Sequence, residues 1–83
     1  MYNIKLLSHS QKDLDDLPSK TFSRIKDAIL TLAQNPRPHG SQKLTNSEGY
    51  RVRVGDYRIL YRIDDKAKEI YVYRVKHRRE AYR

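Results

Sequence analysis

The stretch from Gly49 to Val75 limits the possible folds most strongly, because apolar and polar residues alternate along it as they do on β-strands. This alternation predicts three strands, at about Gly49–Val54, Tyr57–Ile63 and Ile70–Val75. On the last of them it places Val72 and Arg74 on one face. The links at Gly55-Asp56 and at residues 64–68 are too short for a crossover helix, so the strands are predicted to form an antiparallel meander.

The first part of the chain predicts one further strand and a short helix. Tyr2–Leu7 alternates as a short strand does. Ser10 and Asp13 have the spacing of an N-cap pair, which predicts a helix from this point to about Leu17. Pro18 then breaks the helix.

The most regular pattern before the meander is an apolar stripe at three- and four-residue spacing, which predicts an amphipathic helix capped by Ser19. Its members are Phe22, Ile25, Ala28, Ile29, Leu32 and Ala33. The helix is predicted to end at Asn35, because the residue before a proline disfavours the helical conformation. Residues 36–47 have the composition of a loop, with Leu44 as its apolar anchor.

These elements predict an α+β fold of order β-α-α-β-β-β, in which a helical hairpin packs on an antiparallel sheet of about four strands and a short C-terminal tail or helix turn follows. The 83 residues suffice for one domain, residues 1–83. With no cysteine and three histidines, we expect no disulfide, no metal and no cofactor. The N-terminus lacks a leader-like pattern and no apolar run approaches the roughly 20 residues that span a bilayer, so a soluble cytoplasmic protein without membrane association is expected.

The positive charge is concentrated in the strand-rich half of the chain. The net charge is +8, and residues 49–83 hold eleven Lys and Arg against five Asp and Glu. This asymmetry favours a polyphosphate or an acidic protein as partner, although scattered charge also serves solubility alone. Alternation places Arg51 and Arg53 on one face, with Arg58 on the adjacent strand, so several guanidiniums are predicted to converge within reach of a phosphate.

The C-terminal run from His77 to Arg83 brings an imidazole, guanidiniums and a phenol to the edge of this arginine face. An imidazole and a phenol can move a proton when RNA is cut by attack of its own 2′-hydroxyl, and the Tyr82 ring can stack on a base. The alternative interpretation is a basic tail that aids solubility.

With these segments in place, the chain resembles the RelE/ParE superfamily of toxins from type II toxin–antitoxin systems over essentially its whole length. The matching segments are the helical hairpin, Pro36-Arg37-Pro38, Lys43-Leu44, residues 49–61 (GYRVRVGDYRILY) and the terminal HRREAYR. The closing His-Arg-Arg-x-x-Tyr-Arg is more similar to the RelE branch than to the ParE branch.

The resemblance implies a small microbial-RNase-type fold and a ribosome-dependent endonuclease that cuts mRNA in the A site without a metal, leaving a 2′,3′-cyclic phosphate. It implies a cognate antitoxin as a further partner, in a hetero-oligomer. By position it implies catalytic roles for Arg51, Arg53, Arg58, His77, Arg78 and Tyr82. It also implies RNA contacts by Lys43, Arg62, Lys76, Arg79 and Arg83, of which the last two are equally suited to contact the antitoxin.

The resemblance leaves the general base open. Some RelE toxins have lysines where this chain has Arg51 and Arg53, and one of those lysines is proposed as the base. Arginine keeps its proton, so it stabilises charge but is a poor base. Among the other candidates we expect His77 first, Tyr82 second and His39 third.

Two other functions stay open from the sequence. One is a ParE-like inhibitor of DNA gyrase without RNase activity, and the other is an RNA-binding module without catalysis. The arginine face and Tyr82 distinguish an RNase from a gyrase inhibitor, which does not need them. A binding module would show salt-sensitive affinity for RNA without cleavage.

Overall fold

The predicted meander forms the centre of the sheet. The computed structural model describes residues 1–45 and 49–81. Its elements are β1 (Asn3–Leu6), α1 (Ser8–Asp15), α2 (Ser19–Gln34), β2 (Gln42–Lys43), β3 (Tyr50–Val54), β4 (Tyr57–Asp64), β5 (Glu69–His77) and α3 (Arg78–Ala81). The α+β class and the order of the predicted elements are confirmed. None of the helices in these two ranges is long and apolar enough to cross a membrane.

The sheet is mixed and has five strands, in the order β1-β5-β4-β3-β2. It differs in two ways from the sheet predicted from the sequence, which was antiparallel and had about four strands. β1 pairs with β5 in parallel, because the two helices carry the chain across the sheet before the meander returns to its starting edge. The predicted loop contains β2, whose two residues pair with Arg51 and Tyr50 and are too few to show alternation.

The core lies between α2 and one face of the sheet. Ile25, Ile29 and Leu32 of α2 belong to the same buried cluster as Ile59 and Tyr61 of β4. Burying each aliphatic side chain of this size contributes about 1.5–3 kcal/mol. The apolar stripe therefore packs as predicted, except at its first member, Phe22, which is 39% exposed.

A β-bulge changes the faces of β5. Neighbouring residues of β4 pair with Val72 and Arg74, so Tyr73 is an additional residue on β5. The placement of Val72 and Arg74 on one face is therefore wrong. Val75 enters the core instead, at 4% exposure, and Arg74 turns towards α1.

Both predicted N-caps are also wrong. α1 begins at Ser8 after Leu7, and the buried Ser10 lies inside the helix, where its hydroxyl donates a hydrogen bond to the Leu7 carbonyl at 2.7 Å. α2 begins at Ser19 itself, with Pro18 as the preceding residue. Serine is a residue type that often caps helices, but here Leu7 and Pro18 occupy the two N-cap positions.

Asp13, predicted to help cap α1, instead completes the edge of β5. Its carboxylate accepts hydrogen bonds from Arg74 Nε at 2.8 Å and from the backbone N–H of Val75 at 2.9 Å. β1 ends at Leu6, which pairs with Val72, so β1 provides no partner for Val75 of β5. The Asp13 carboxylate binds the Val75 N–H instead. Burial raises the pKa of Asp13, but the bonds from Arg74 and Val75 outweigh it and hold the pKa below its ordinary value of 3.8.

Asp13→Asn is expected to lower the free energy of unfolding at pH 7 by about 1–3 kcal/mol, because hydrogen bonds to a charged acceptor are weakened. Folding lowers the pKa of Asp13, so the ionised carboxylate stabilises the fold above about pH 4 and this contribution is lost as the pH falls through the folded-state pKa. In urea denaturation, the difference between wild type and Asp13→Asn should therefore shrink below about pH 4. The exposed Asp27→Asn change serves as control, and a difference that is the same at pH 7 and pH 3 would contradict the assignment.

Candidate nucleic-acid interface

The face of the sheet opposite α2 carries a row of cations. Arg53 of β3 pairs in register with Arg58 of β4, and Arg58 pairs with Lys76 of β5. Residues in register project to the same face, so three positive side chains lie side by side. Like charges placed directly opposite destabilise a sheet. The register brings Arg53 and Arg58 side by side, as the tight turn between their strands predicted.

Two adjoining cavities open along this row. The first has a volume of about 350 Å³ and is lined by His39, Gly40, Gln42, Arg51, Val52, Arg53 and Arg58. The second has a volume of about 360 Å³ and is lined by Arg53, Gly55, Asp56, Tyr57, Arg58, Arg78 and Arg79. Because Arg53 and Arg58 line both, the two cavities are neighbours, and together they are here called the arginine groove.

The arginines of the groove are held in different ways. Arg51 donates from Nε and Nη2 to the side-chain oxygen of Gln42, at 3.1 and 2.6 Å, which fixes the direction of its guanidinium. Arg58 is buried to 5% exposure, although it lines both cavities. Arg78 and Arg79 are exposed on α3, next to the second cavity.

The structure does not bring His77 into the groove. His77 pairs in register with Tyr57, one residue away from the Arg58–Lys76 pair, and so projects to the opposite face, which is covered by α2. Its ring packs edge-on against Tyr57, with 5.2 Å between ring centroids. Its Nδ1 accepts a hydrogen bond from the Arg79 backbone N–H at 3.3 Å. The expectation that His77 lies at the arginine face is therefore wrong, while Tyr82 and Arg83 lie outside the described residues.

His39 lies beside the groove arginines, where His77 was expected to lie. It is exposed and lines the first cavity together with Arg51, Arg53 and Arg58. We ranked it third from the sequence, after His77 and Tyr82, and periodicity does not give the path of a loop. A local signal was present, since Pro38 and Gly40 on either side of His39 are typical of a tight turn.

Lys43 and Arg62 come together, but at the other end of the strands. They line a cavity of about 460 Å³ whose other residues are Arg37, Tyr50, Ile63, Asp64, Asp65, Lys66 and Tyr71. The Arg62 guanidinium lies over the Tyr71 ring, 5.6 Å from its centre, in a cation–π contact. Of the predicted RNA contacts, Arg79 lines the arginine groove and Lys76 is paired in register with Arg58, whereas Lys43 and Arg62 lie apart from the groove.

Within residues 1–45 and 49–81, no group of three or more His, Cys, Asp or Glu side chains is arranged to hold a metal ion.

The fold is that of the RelE toxins. The RelE–RelB complex of Pyrococcus horikoshii superposes with a TM-score of 0.83 at 30% identity, over 93% of this chain and 94% of the matched chain. The RelBE2 toxin–antitoxin complex of Mycobacterium tuberculosis superposes with a TM-score of 0.83 at 26% identity, over 92% and 96%. The toxin RelG of M. tuberculosis is 31% identical over 84 residues, which span 99% of this chain and 97% of RelG.

The family model described as the ParE toxin of the type II toxin–antitoxin system parDE matches residues 4–82. The chain therefore belongs to the RelE/ParE superfamily of type II toxins.

Proposed function

We propose that this protein is a ribosome-dependent endoribonuclease that cuts mRNA in the A site. The observation that carries the proposal is the arginine groove, in which Arg53 and Arg58 line two adjoining cavities and five arginines surround them in all. A groove of this charge suits a polyphosphate backbone, and its guanidinium forks suit bidentate binding of phosphate oxygens. The 31% identity with the toxin RelG supports the same branch.

The chemistry proposed for the groove is attack of the 2′-hydroxyl on the adjacent phosphate, which leaves a 2′,3′-cyclic phosphate and a free 5′-hydroxyl. In the transition state, negative charge builds up on the phosphate oxygens. Fixed donors aimed at that charge are among the largest contributors to catalysis. Arg51 and Arg53 would bind the scissile phosphate, Arg58 would stabilise the developing charge, and Arg78 would lie near the leaving 5′-oxygen.

We further propose a cognate antitoxin as partner, in a hetero-oligomer, with both proteins in the cytoplasm. Two of the superposed structures are complexes of a RelE-type toxin with its antitoxin. The net charge of +8 favours an antitoxin segment that carries acidic side chains into the groove. Such a segment would block RNA by occupying the sites of its phosphates.

Gyrase inhibition is the second candidate, because the matching family model is described as a ParE toxin. A gyrase inhibitor has no need of an arginine groove. Function on a shared fold follows from the site, so the groove favours RNA cleavage.

The deciding experiment maps cleavage sites on a defined mRNA in a purified translation system, with and without translating ribosomes. We expect cuts within A-site codons that carry a 2′,3′-cyclic phosphate and disappear when ribosomes are left out. Intact mRNA together with stalled DNA gyrase, in a sample that still arrests cell growth, would establish the ParE-like function instead. Salt-sensitive RNA binding with neither effect would indicate a binding module.

A further inference from the structure

We propose that His39 is the proton acceptor of the cleavage reaction, an inference that rests on the function proposed above. His39 lines the first cavity of the arginine groove with Arg51, Arg53 and Arg58, which are the other charged side chains of that cavity. Guanidiniums keep their protons and cannot serve as the base. An imidazole gains and loses a proton near neutral pH, which suits it to this step.

The loop that carries His39 is anchored in the core at its start. Pro36 is buried, and its carbonyl accepts a hydrogen bond from the hydroxyl of Tyr61 at 2.7 Å. Tyr61 is fully buried in β4, at 0% exposure. Burial raises the pKa of Tyr61, so its hydroxyl stays a donor well into the alkaline range. A buried side chain of the central strand therefore sets where the loop leaves α2.

A second contact ties the next residue to the far end of β4. Arg37 Nη2 lies 3.0 Å from Asp65 Oδ2, and Arg37 Nε donates to the Tyr50 hydroxyl at 3.2 Å. Asp65 accepts hydrogen bonds from Arg37 and from Tyr2, and these bonds, the first more than the second, hold its pKa below the ordinary value. The Arg37–Asp65 ion pair therefore stays ionised at neutral pH. The loop is thus held by two neighbouring residues before it reaches His39.

A tight turn then directs His39 towards the groove. The backbone N–H of Ser41 donates to the Pro38 carbonyl at 3.0 Å, which closes a four-residue turn around His39 and Gly40. Gly40 has a φ of +93°, the conformation that the third position of a type II turn requires and that other residues rarely adopt. Gln42, immediately after the turn, binds Arg51 of the groove. The loop is anchored before and after His39, so the backbone at His39 has a defined position beside the cavity that its side chain lines together with the arginines.

The proposed step is balanced within the substrate and solvent. The His39 imidazole takes the proton of the 2′-hydroxyl as the 2′-oxygen forms its bond to phosphorus. The bond from phosphorus to the 5′-oxygen breaks, and that oxygen takes a proton from water. The imidazolium then returns its proton to water. Nothing is oxidised or reduced, so the step needs no additional reactant.

The test is a single-turnover cleavage assay of a defined mRNA on purified ribosomes, at pH values from 5.5 to 9. His39→Gln is expected to lower the rate constant by about 10²–10⁴-fold, the usual contribution of general acid–base catalysis. It should also change the acidic limb of the pH–rate profile, the part of the profile that reports an essential base. Affinity for the ribosome–mRNA complex and the thermal unfolding temperature should be unchanged, since the side chain is exposed.

His9→Gln is the matched control, because His9 is an exposed histidine on α1. It is expected to retain the rate and pH profile of wild type. Added imidazole should partly restore cleavage to His39→Ala, which a purely structural role would not permit. A His39→Gln protein that cuts within about threefold of wild type, with the same pH profile, would overturn the proposal. A wild-type protein that does not cut mRNA at all would overturn the proposed function, and His39 with it.

Discussion

Replacing Arg58 with lysine is expected to lower the single-turnover rate of mRNA cleavage by about 10²–10³-fold, the loss that follows removal of one aligned donor from a charged transition state. Arg58 is, with Arg53, one of the two residues that line both cavities of the arginine groove. Lysine keeps the positive charge but replaces a planar fork with a single ammonium, so it cannot bind two phosphate oxygens in the same geometry. Quench-flow or gel-based measurement of the rate, with ribosomes in excess, tests this prediction.

Arg24→Lys is the control for this substitution, because Arg24 is an exposed arginine on α2, on the other side of the sheet. It should cut mRNA at the wild-type rate. If Arg58→Lys retained the wild-type rate while Arg24→Lys also did, Arg58 would have no part in catalysis.

Lysine is the informative substitution because of how deeply Arg58 lies. At 5% exposure, truncation to alanine would leave a buried void as well as an absent charge. Lysine fills most of the same volume and therefore separates the chemical role from the packing role.

Tyr61→Ala is expected to lower the free energy of unfolding by about 3–5 kcal/mol, as for other large core residues reduced to alanine. Tyr61 is completely buried, stacks on Tyr50 with 5.9 Å between ring centroids, and donates its hydroxyl to Pro36. Domains of this size have a total stability of about 5–15 kcal/mol, so the loss is a large share of it. Urea denaturation followed by circular dichroism measures the change.

Tyr61→Phe separates the ring from the hydroxyl. We expect it to cost about 1–3 kcal/mol, because the buried Pro36 carbonyl is left without its donor. Cleavage should fall as well, since this hydrogen bond positions the loop that carries His39. Equal stability of Tyr61→Phe and wild type would show that the hydrogen bond to Pro36 does not stabilise the fold.

Elements formed by interactions between residues close in sequence were predicted, whereas features formed by interactions between distant residues were not. The strands of the meander and α2 were predicted to within about two residues, because hydrophobic periodicity reports on neighbours along the chain. The pairing of Arg53 with Arg58 followed from the tight turn between them. The bulge at Tyr73 did not follow, since it depends on the fit of β5 against β4 and leaves no local signal in the sequence.

The sequence by itself determined the class of fold, the apolar face of α2 and an arginine-rich face on the meander, all of which arise from local periodicity. Only the tertiary structure decided which histidine lies beside those arginines. His77 is one residue along β5 from Lys76 and therefore lies on the wrong face, whereas His39 reaches the groove through contacts made by Pro36 and Arg37. Those contacts join residues more than 20 positions apart, and periodicity carries no information over such separations.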